Sequence, residues 1–190
     1  QAAPADIPPL ALRDAMAQFV LEEKEAHLYG PILGMTRLRS AMASHCKKVY
    51  CADINTNHIA ITSGCNQAFC AAIAALADDG ANVILVAPWY FNHKMWLDMS
   101  GIETQALLCG TDMLPDPNTA AALMSHKTRA ICLVSPNNPA GIAYPDQLLH
   151  AFFDLAESHG IALILDETYK DFHPNAAFPH SLCTRRNAFD

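Results

Sequence analysis

Apolar residues along this chain follow two different patterns. They recur at helical spacing from about Leu10 to Glu25, after a proline-spaced arm, and again from about Met35 to Tyr50. From residue 58 onward, short apolar runs alternate with helical patterns. The pattern therefore predicts two N-terminal helices followed by an alternating strand-and-helix unit.

The alternating part predicts five strands separated by four helices. The predicted strands are 58–62, 82–87, 104–109, 130–134 and 161–166, and the predicted helices are 66–77, 91–100, 118–126 and 145–159. This alternation implies a parallel sheet with helices on both faces, and the nearly continuous apolar strands agree with it.

We therefore predict an α/β fold of three αβα layers around a mostly parallel sheet. Residues 1–50 are predicted to form an N-terminal arm and helices, and residues 51–190 a large domain whose sheet is incomplete. The last stretch of sequence has no strong periodicity.

Composition excludes several classes of protein. Hydrophobic residues make up 52% and charged residues 16%, and the formal charge of −7 argues against binding nucleic acid. No apolar run approaches the ~20 residues of a membrane span. The seven cysteines lack CxxC spacing and indicate reduced thiols of a cytoplasmic protein, and the nine histidines show no metal-ligand spacing.

Ligands of open parallel sheets bind at the carboxyl ends of the strands, so the polar residues there are candidates. Ser63, Gly64 and Cys65 precede a predicted helix, whose free amides would favour an anion such as phosphate. A plain strand-to-helix turn capped by Ser63 is the alternative. Two aromatic residues follow Pro88, and one of them could stack on a flat ring rather than join the core.

Two further strand ends carry polar groups. Asn138 lies in "VSPNNPAG", where it offers an amide to the same crevice, or belongs to a structural turn. Asp166 closes an aliphatic strand, where a carboxylate needs a positive partner, unless it caps a helix. Tyr169 follows three residues later. Together the four sites fit a planar, phosphorylated, pyridine-like ring.

At this point the sequence resembles the class I/II aminotransferases, the fold-type-I enzymes that use pyridoxal 5′-phosphate (PLP). The resemblance covers nearly the whole chain and rests on five motifs in family order. They are "YGPILGMTRLRSAMA" (29–43), "TSGCNQAF" (62–69), "PWYFNH" (88–93), "SPNNPAG" (135–141) and "DETY" (166–169).

The resemblance implies a role for each candidate residue. The loop of Ser63, Gly64 and Cys65 matches the loop that binds the cofactor phosphate through backbone amides. Tyr90 matches the aromatic that stacks on the pyridine ring. Asn138 matches the asparagine that hydrogen-bonds the phenolic oxygen of the cofactor and helps to hold the substrate carboxylate.

The remaining matches complete the implied site. Asp166 matches the aspartate that pairs with the pyridine nitrogen, and Tyr169 the tyrosine that donates to the phenolic oxygen. Tyr29 matches a tyrosine that crosses a homodimer interface to the phosphate of the neighbouring subunit. The implied reaction transfers an amino group between an amino acid and a 2-oxo acid.

One departure from the family pattern concerns lysine. The family needs a Schiff-base lysine in a small-residue segment resembling SxSK, and none of the six lysines here lies in such a segment. We therefore predict that no catalytic residue lies in this chain, that it is an N-terminal fragment of a longer enzyme, and that it does not transaminate alone.

Other functions remain open at this point. A carbon–sulfur β-lyase or a related PLP-dependent synthase would share the same motifs. A non-catalytic regulatory protein could carry an aminotransferase-like ligand domain. A nucleotide-binding α/β domain could use "TSG" as its phosphate loop, but it would leave the NNPxG and DxxY motifs unexplained.

Overall fold

The computed structural model describes residues 6–186 and 188–189, so the first five residues of the predicted arm lie outside the described residues. The α-helices are α1 (Leu10–Glu22), α2 (Thr36–Tyr50), α3 (Cys65–Leu76), α4 (Phe91–Met99), α5 (Pro117–Leu123) and α6 (Asp146–His159). The strands are β1 (Asn82–Ala87), β2 (Glu103–Leu108), β3 (Thr128–Val134) and β4 (Ala162–Asp166). Short 3-10 helices occupy Lys24–His27, Thr56–His58, Lys170–Phe172 and Leu182–Thr184.

The strands form one parallel sheet in the order β2-β1-β3-β4. All strand pairs in the described part of the chain are parallel, and helices lie on both faces. The predicted α/β fold is therefore confirmed. The carboxyl ends of the strands all meet at one edge of the sheet, which places the polar residues after β1, β3 and β4 near one another.

Alternation along each strand divides the core into two layers. In β3, Ile131 and Leu133 pack on one face with Phe152 of α6. Ala130 and Cys132 face the opposite side and pack with a cluster that includes α3 and α4. Successive side chains of a strand point to opposite faces, and both faces here are covered, which explains why β1, β3 and β4 are apolar almost throughout.

The predicted strand at 58–62 is wrong. Residues 56–58 form a 3-10 helix, and 59–62 belong to no strand. A strand requires a ladder of hydrogen bonds to a neighbour, and Ile61 N–H instead donates to the carbonyl of Leu33 at 2.9 Å. Within residues 6–186, no strand runs beside this segment.

The predicted N-terminal helices are confirmed, although α1 ends at Glu22 rather than Glu25. None of the α1 residues is buried, and its apolar side chains, including Met16 and Phe19, are exposed. No helix among the described residues has the length and apolar character needed to span a membrane.

Candidate functional site

A cavity of about 240 Å³ lies at the carboxyl edge of the sheet. It brings together every predicted site residue except Tyr29. Its lining residues are Ser63, Gly64, Cys65, Asn66, Tyr90, Val134, Asn138, Asp166, Thr168 and Tyr169. A larger cavity of about 650 Å³ runs along the outer edge of β4, but mainly apolar side chains line it.

The N-terminus of α3 forms one wall of the smaller cavity. The residue at its N-cap position is Gly64, with φ of 86° and ψ of 170°, and no side chain caps the helix. Ser63 is therefore not the cap; its backbone N–H donates to Gln67 Oε1 at 2.5 Å. The first helical amides, from Cys65 and Asn66, have no acceptor within the helix and can bind an anion.

Asp166 supplies a buried carboxylate at the end of β4, with 7% of the residue exposed. Thr168 donates to its Oδ1 twice, from the backbone N–H at 2.9 Å and from Oγ1 at 2.7 Å. Burial alone would raise the pKa of this carboxyl. The interactions with His93 and Thr168 outweigh burial and lower the pKa to about 2, so the group is a carboxylate at neutral pH.

His93 is a site residue to which the sequence prediction gave no role. Its Nε2 lies 3.1 Å from Asp166 Oδ2, and its Nδ1 lies 3.8 Å from Cys132 Sγ. The imidazole stacks on the ring of Phe69, with 4.0 Å between centroids. The signal was present in "PWYFNH", because His93 stands three residues after Tyr90 at the start of α4 and so turns toward the same side.

The two asparagines after β3 have different surroundings. Asn137 is buried, and its side chain accepts from Ala140 N–H at 2.9 Å and donates to Tyr144 Oη at 3.3 Å. Asn138 lines the cavity. Asn137 therefore holds the turn, whereas the side chain of Asn138 is the one available to a ligand.

The two aromatic residues after Pro88 also divide between core and cavity. Trp89 packs against the core layer beside α3 and α4, whereas Tyr90 lines the cavity. Asn92 Nδ2 donates to Tyr90 Oη at 2.9 Å, and the Tyr90 ring meets His93 edge-on at 5.3 Å between centroids. These contacts fix the tyrosine ring at the mouth of the site.

Tyr169 lines the same cavity, with 37% of the residue exposed, and its ring meets Phe172 edge-on. The structure does not bring Tyr29 into the cavity, and that side chain is fully exposed. No lysine is among the described residues that line the cavity; Lys170, the nearest in sequence to the DETY motif, pairs with Asp171 at 2.7 Å.

The site thus offers one ligand four kinds of contact: open helix amides, an aromatic ring, amide and phenol groups, and an ionised carboxylate. Such a set suits a flat molecule that carries a phosphate and a basic ring nitrogen. Cys65 also lines the cavity, and burial raises the pKa of its thiol, so the group is neutral there.

Comparison with known proteins identifies relatives. An aspartate aminotransferase from Pyrococcus horikoshii is 31% identical over 82% of this chain, and the match spans 40% of that relative. The aspartate/prephenate aminotransferase of Thermus thermophilus is 29% identical over 75% of this chain and 37% of its own length. The chain thus spans less than half the length of these relatives.

Solved structures and a family model agree with these matches. Escherichia coli YbdL, for which a methionine aminotransferase function is described, superposes with a TM-score of 0.90 at 26% identity, covering 99% of this chain and 50% of YbdL. The family model for aminotransferase class I and II matches residues 3–186. The chain therefore belongs to the class I and II aminotransferase family.

Proposed function

We propose that this chain forms the cofactor cradle of a PLP-dependent aminotransferase. Class I and II aminotransferases are PLP-dependent enzymes. The observation that carries the proposal is the single cavity in which the open N-terminus of α3, Tyr90 and the ionised Asp166 converge.

The residues of the cavity fit PLP chemically. The amides of Cys65 and Asn66, beside the positive φ of Gly64, suit the phosphate. The carboxylate of Asp166 suits a protonated pyridine nitrogen, and that positive partner would offset the cost of burying the charge. When bound, PLP supplies an electron sink for the α-carbon of an amino acid.

The other residues orient the ligand. Tyr90 presents a ring for stacking on the pyridine face. Asn138 and Tyr169 present hydrogen-bond donors for the phenolic oxygen, and Asn138 also suits the substrate carboxylate. His93 contacts the carboxylate of Asp166 and lowers its pKa, which keeps Asp166 ionised.

The complete reaction needs a lysine that none of the residues lining this cavity supplies. We infer that this lysine comes from a segment outside the 190 residues, and that the complete protein transfers amino groups between an amino acid and a 2-oxo acid. We also propose the division into an N-terminal part, 1–50, and a PLP-binding part, 51–190.

We further propose that the complete protein is a cytoplasmic homodimer. The apolar side chains of α1 and the fully exposed Tyr29 offer a surface for a second copy, in which Tyr29 would approach the partner's phosphate site. All seven cysteines are free thiols, which suits a reducing compartment. Sedimentation velocity on the wild type and Tyr29→Ala would test the dimer and the contribution of this side chain.

The cradle can be tested without the missing lysine. Pyridoxamine 5′-phosphate (PMP) carries the same ring and phosphate but forms no bond to lysine, so its binding reports the cradle alone. We expect PMP fluorescence to change saturably when this chain is added. Asp166→Asn should weaken PMP binding strongly, because an amide does not favour a protonated ring nitrogen.

Asp98→Asn is a suitable control, because Asp98 forms only an exposed ion pair with Lys94 on α4. This variant should bind PMP like the wild type. Absence of PMP binding by the unsubstituted chain, or equal loss in both variants, would contradict the proposed cradle.

A further inference from the structure

Glu167 follows the proposed pyridine partner Asp166 but serves a separate set of contacts. Tyr50 Oη donates to Glu167 Oε2 at 2.7 Å, and His180 Nε2 lies 3.0 Å from Glu167 Oε1. The carboxylate is thus held through both oxygens. Its partners come from the end of α2 and from the segment after the DETY motif, so three distant parts of the chain meet at one side chain.

The hydrogens of this cluster can be placed from its contacts. His180 Nδ1 accepts from the backbone N–H of Leu182 at 3.2 Å, so Nε2 carries the hydrogen and donates to Glu167. Burial, and then the neighbouring charge of Glu167, raise the pKa of Tyr50, so its hydroxyl stays protonated and donates as well. The Tyr50 and His180 rings also lie 4.9 Å apart.

Burial makes these contacts specific. Tyr50 is 5% exposed and His180 is 4% exposed. A buried polar group that loses its partner is costly, so the two donors strongly favour one position of the Glu167 carboxylate.

The backbone carries this constraint into the cofactor cavity. Successive side chains at a strand end point to opposite sides, so Glu167 faces the cavity beside β4 while Asp166 faces the cofactor cavity. The carbonyl of Glu167 also accepts from Lys170 N–H at 2.9 Å, which closes the turn that carries Tyr169. A backbone rotation at Glu167 would therefore change the directions of the side chains of Asp166 and Tyr169.

We infer that Tyr50 and His180 are positioning residues that hold Glu167 and thereby fix the direction of Asp166 and Tyr169. This inference rests on the proposed function, since it assigns the three residues to the recognition of the cofactor ring. The inference gives these three residues no role in binding the phosphate, which the amides at the start of α3 would hold independently.

The test compares two probes, PMP and inorganic phosphate, on the same variants. In Glu167→Gln and Tyr50→Phe, we expect the dissociation constant for PMP to rise roughly tenfold, the lower end of the loss seen when residues that orient metal-binding side chains are removed. Binding of inorganic phosphate should not change. The pH at which bound PMP loses its ring proton should also fall, because Asp166 is less well aligned.

Substitutions at His180 provide a rescue. His180→Gln keeps an N–H that can donate to Glu167 and should retain most of the PMP affinity, whereas His180→Leu should lose it. Circular dichroism would establish that each variant is folded, and the Tyr50 and His180 variants carry the test should Glu167→Gln fail to fold.

A stability control comes from the opposite end of the sheet. Thr128 is buried and its Oγ1 donates to Asn82 Oδ1 at 2.7 Å, so Thr128→Val should lower the melting temperature and leave PMP binding unchanged. The inference would be overturned, and the proposed function left standing, if the Tyr50, Glu167 and His180 variants all bound PMP as tightly as the wild type. The same holds if these variants lost affinity for PMP and for phosphate equally. Failure of the wild type to bind PMP would overturn the proposed function and this inference with it.

Discussion

His93 Nε2 lies 3.1 Å from Asp166 Oδ2, and both side chains are buried. The pair links the first turn of α4 to the last residue of β4 across the carboxyl edge of the sheet. Phe69 supports the imidazole from α3, so three elements determine where the Asp166 carboxylate lies. The low pKa of this carboxyl depends on that arrangement.

The first prediction concerns His93→Phe. The new ring fills a similar volume and can still stack on Phe69, but it offers no nitrogen to the carboxylate. We expect the pKa of Asp166 to rise and the free energy of unfolding to fall by about 1–3 kcal/mol, as when the polar partner of a buried charge is removed. Carbon-13 NMR titration of the carboxyl and urea unfolding measure the two effects.

His126→Phe is the matched control, because the side chain of His126 is exposed in the loop before β3. It should alter neither the titration of Asp166 nor stability appreciably. An unchanged Asp166 titration in His93→Phe would show that His93 does not lower the pKa of this carboxyl.

The second prediction follows the pKa of Asp166 into the pH dependence of stability. The folded value of about 2 lies below the value of about 3.9 expected in an unfolded chain. Ionised Asp166 therefore stabilises the fold above pH ~4, by up to about 2–3 kcal/mol, and this stabilisation is lost as the pH falls toward 2.

Urea unfolding of the wild type and Asp166→Asn at pH 6 and pH 3 would test this dependence. Between pH 6 and pH 3, the free energy of unfolding should fall more in the wild type than in Asp166→Asn, because the amide does not titrate. Identical acid sensitivity in both proteins would mean that other carboxyls account for the loss.

The alternation of strands and helices could be predicted because both faces of the sheet are covered, so β1, β3 and β4 are largely apolar and only the edge strand β2 carries several polar residues. Residues 58–62 have the same apolar character but no neighbouring strand, and a sequence pattern does not reveal which partner a strand needs. Tyr90, Asn138 and Asp166 line the cavity because they lie at the ends of β1, β3 and β4, as predicted, whereas the loop at Ser63 lines it without a preceding strand. The roles of His93 and Glu167 could not be predicted, because they act on other side chains, and those pairings depend on packing between distant segments.

The third prediction separates the two adjacent asparagines. Asn137→Ala should lower the free energy of unfolding by about 1–3 kcal/mol, because Ala140 N–H and Tyr144 Oη lose their partner. Asn138→Ala should leave stability nearly unchanged and weaken PMP binding, because its side chain faces the cavity. Urea unfolding and PMP titration of both variants would measure the two effects. Loss of stability in both variants, or loss of PMP affinity in both, would contradict the prediction.

The last prediction concerns the backbone at the start of α3. An added Cβ at Gly64 would meet no atom within 4 Å, so Gly64→Ala introduces backbone strain rather than a clash. Its φ of 86° and ψ of 170° belong to a region that is nearly confined to glycine, which makes the strain about 1–3 kcal/mol. Relief of that strain would turn the amides of Cys65 and Asn66 away from the anion, so binding of inorganic phosphate and of PMP should both weaken.

Gly80→Ala is the matched control for this backbone effect. Gly80 has φ of 80° and equally open space around its Cβ position, but it lies in the turn before β1, away from the cavity. Both variants should melt at lower temperature, and only Gly64→Ala should lose affinity for phosphate. Because phosphate at the proposed site would contact neither Asp166 nor the residues proposed to face the ring, this pair of variants tests the anion site separately from the rest of the proposed cofactor site. Unchanged phosphate affinity in Gly64→Ala would place the anion somewhere other than the N-terminus of α3.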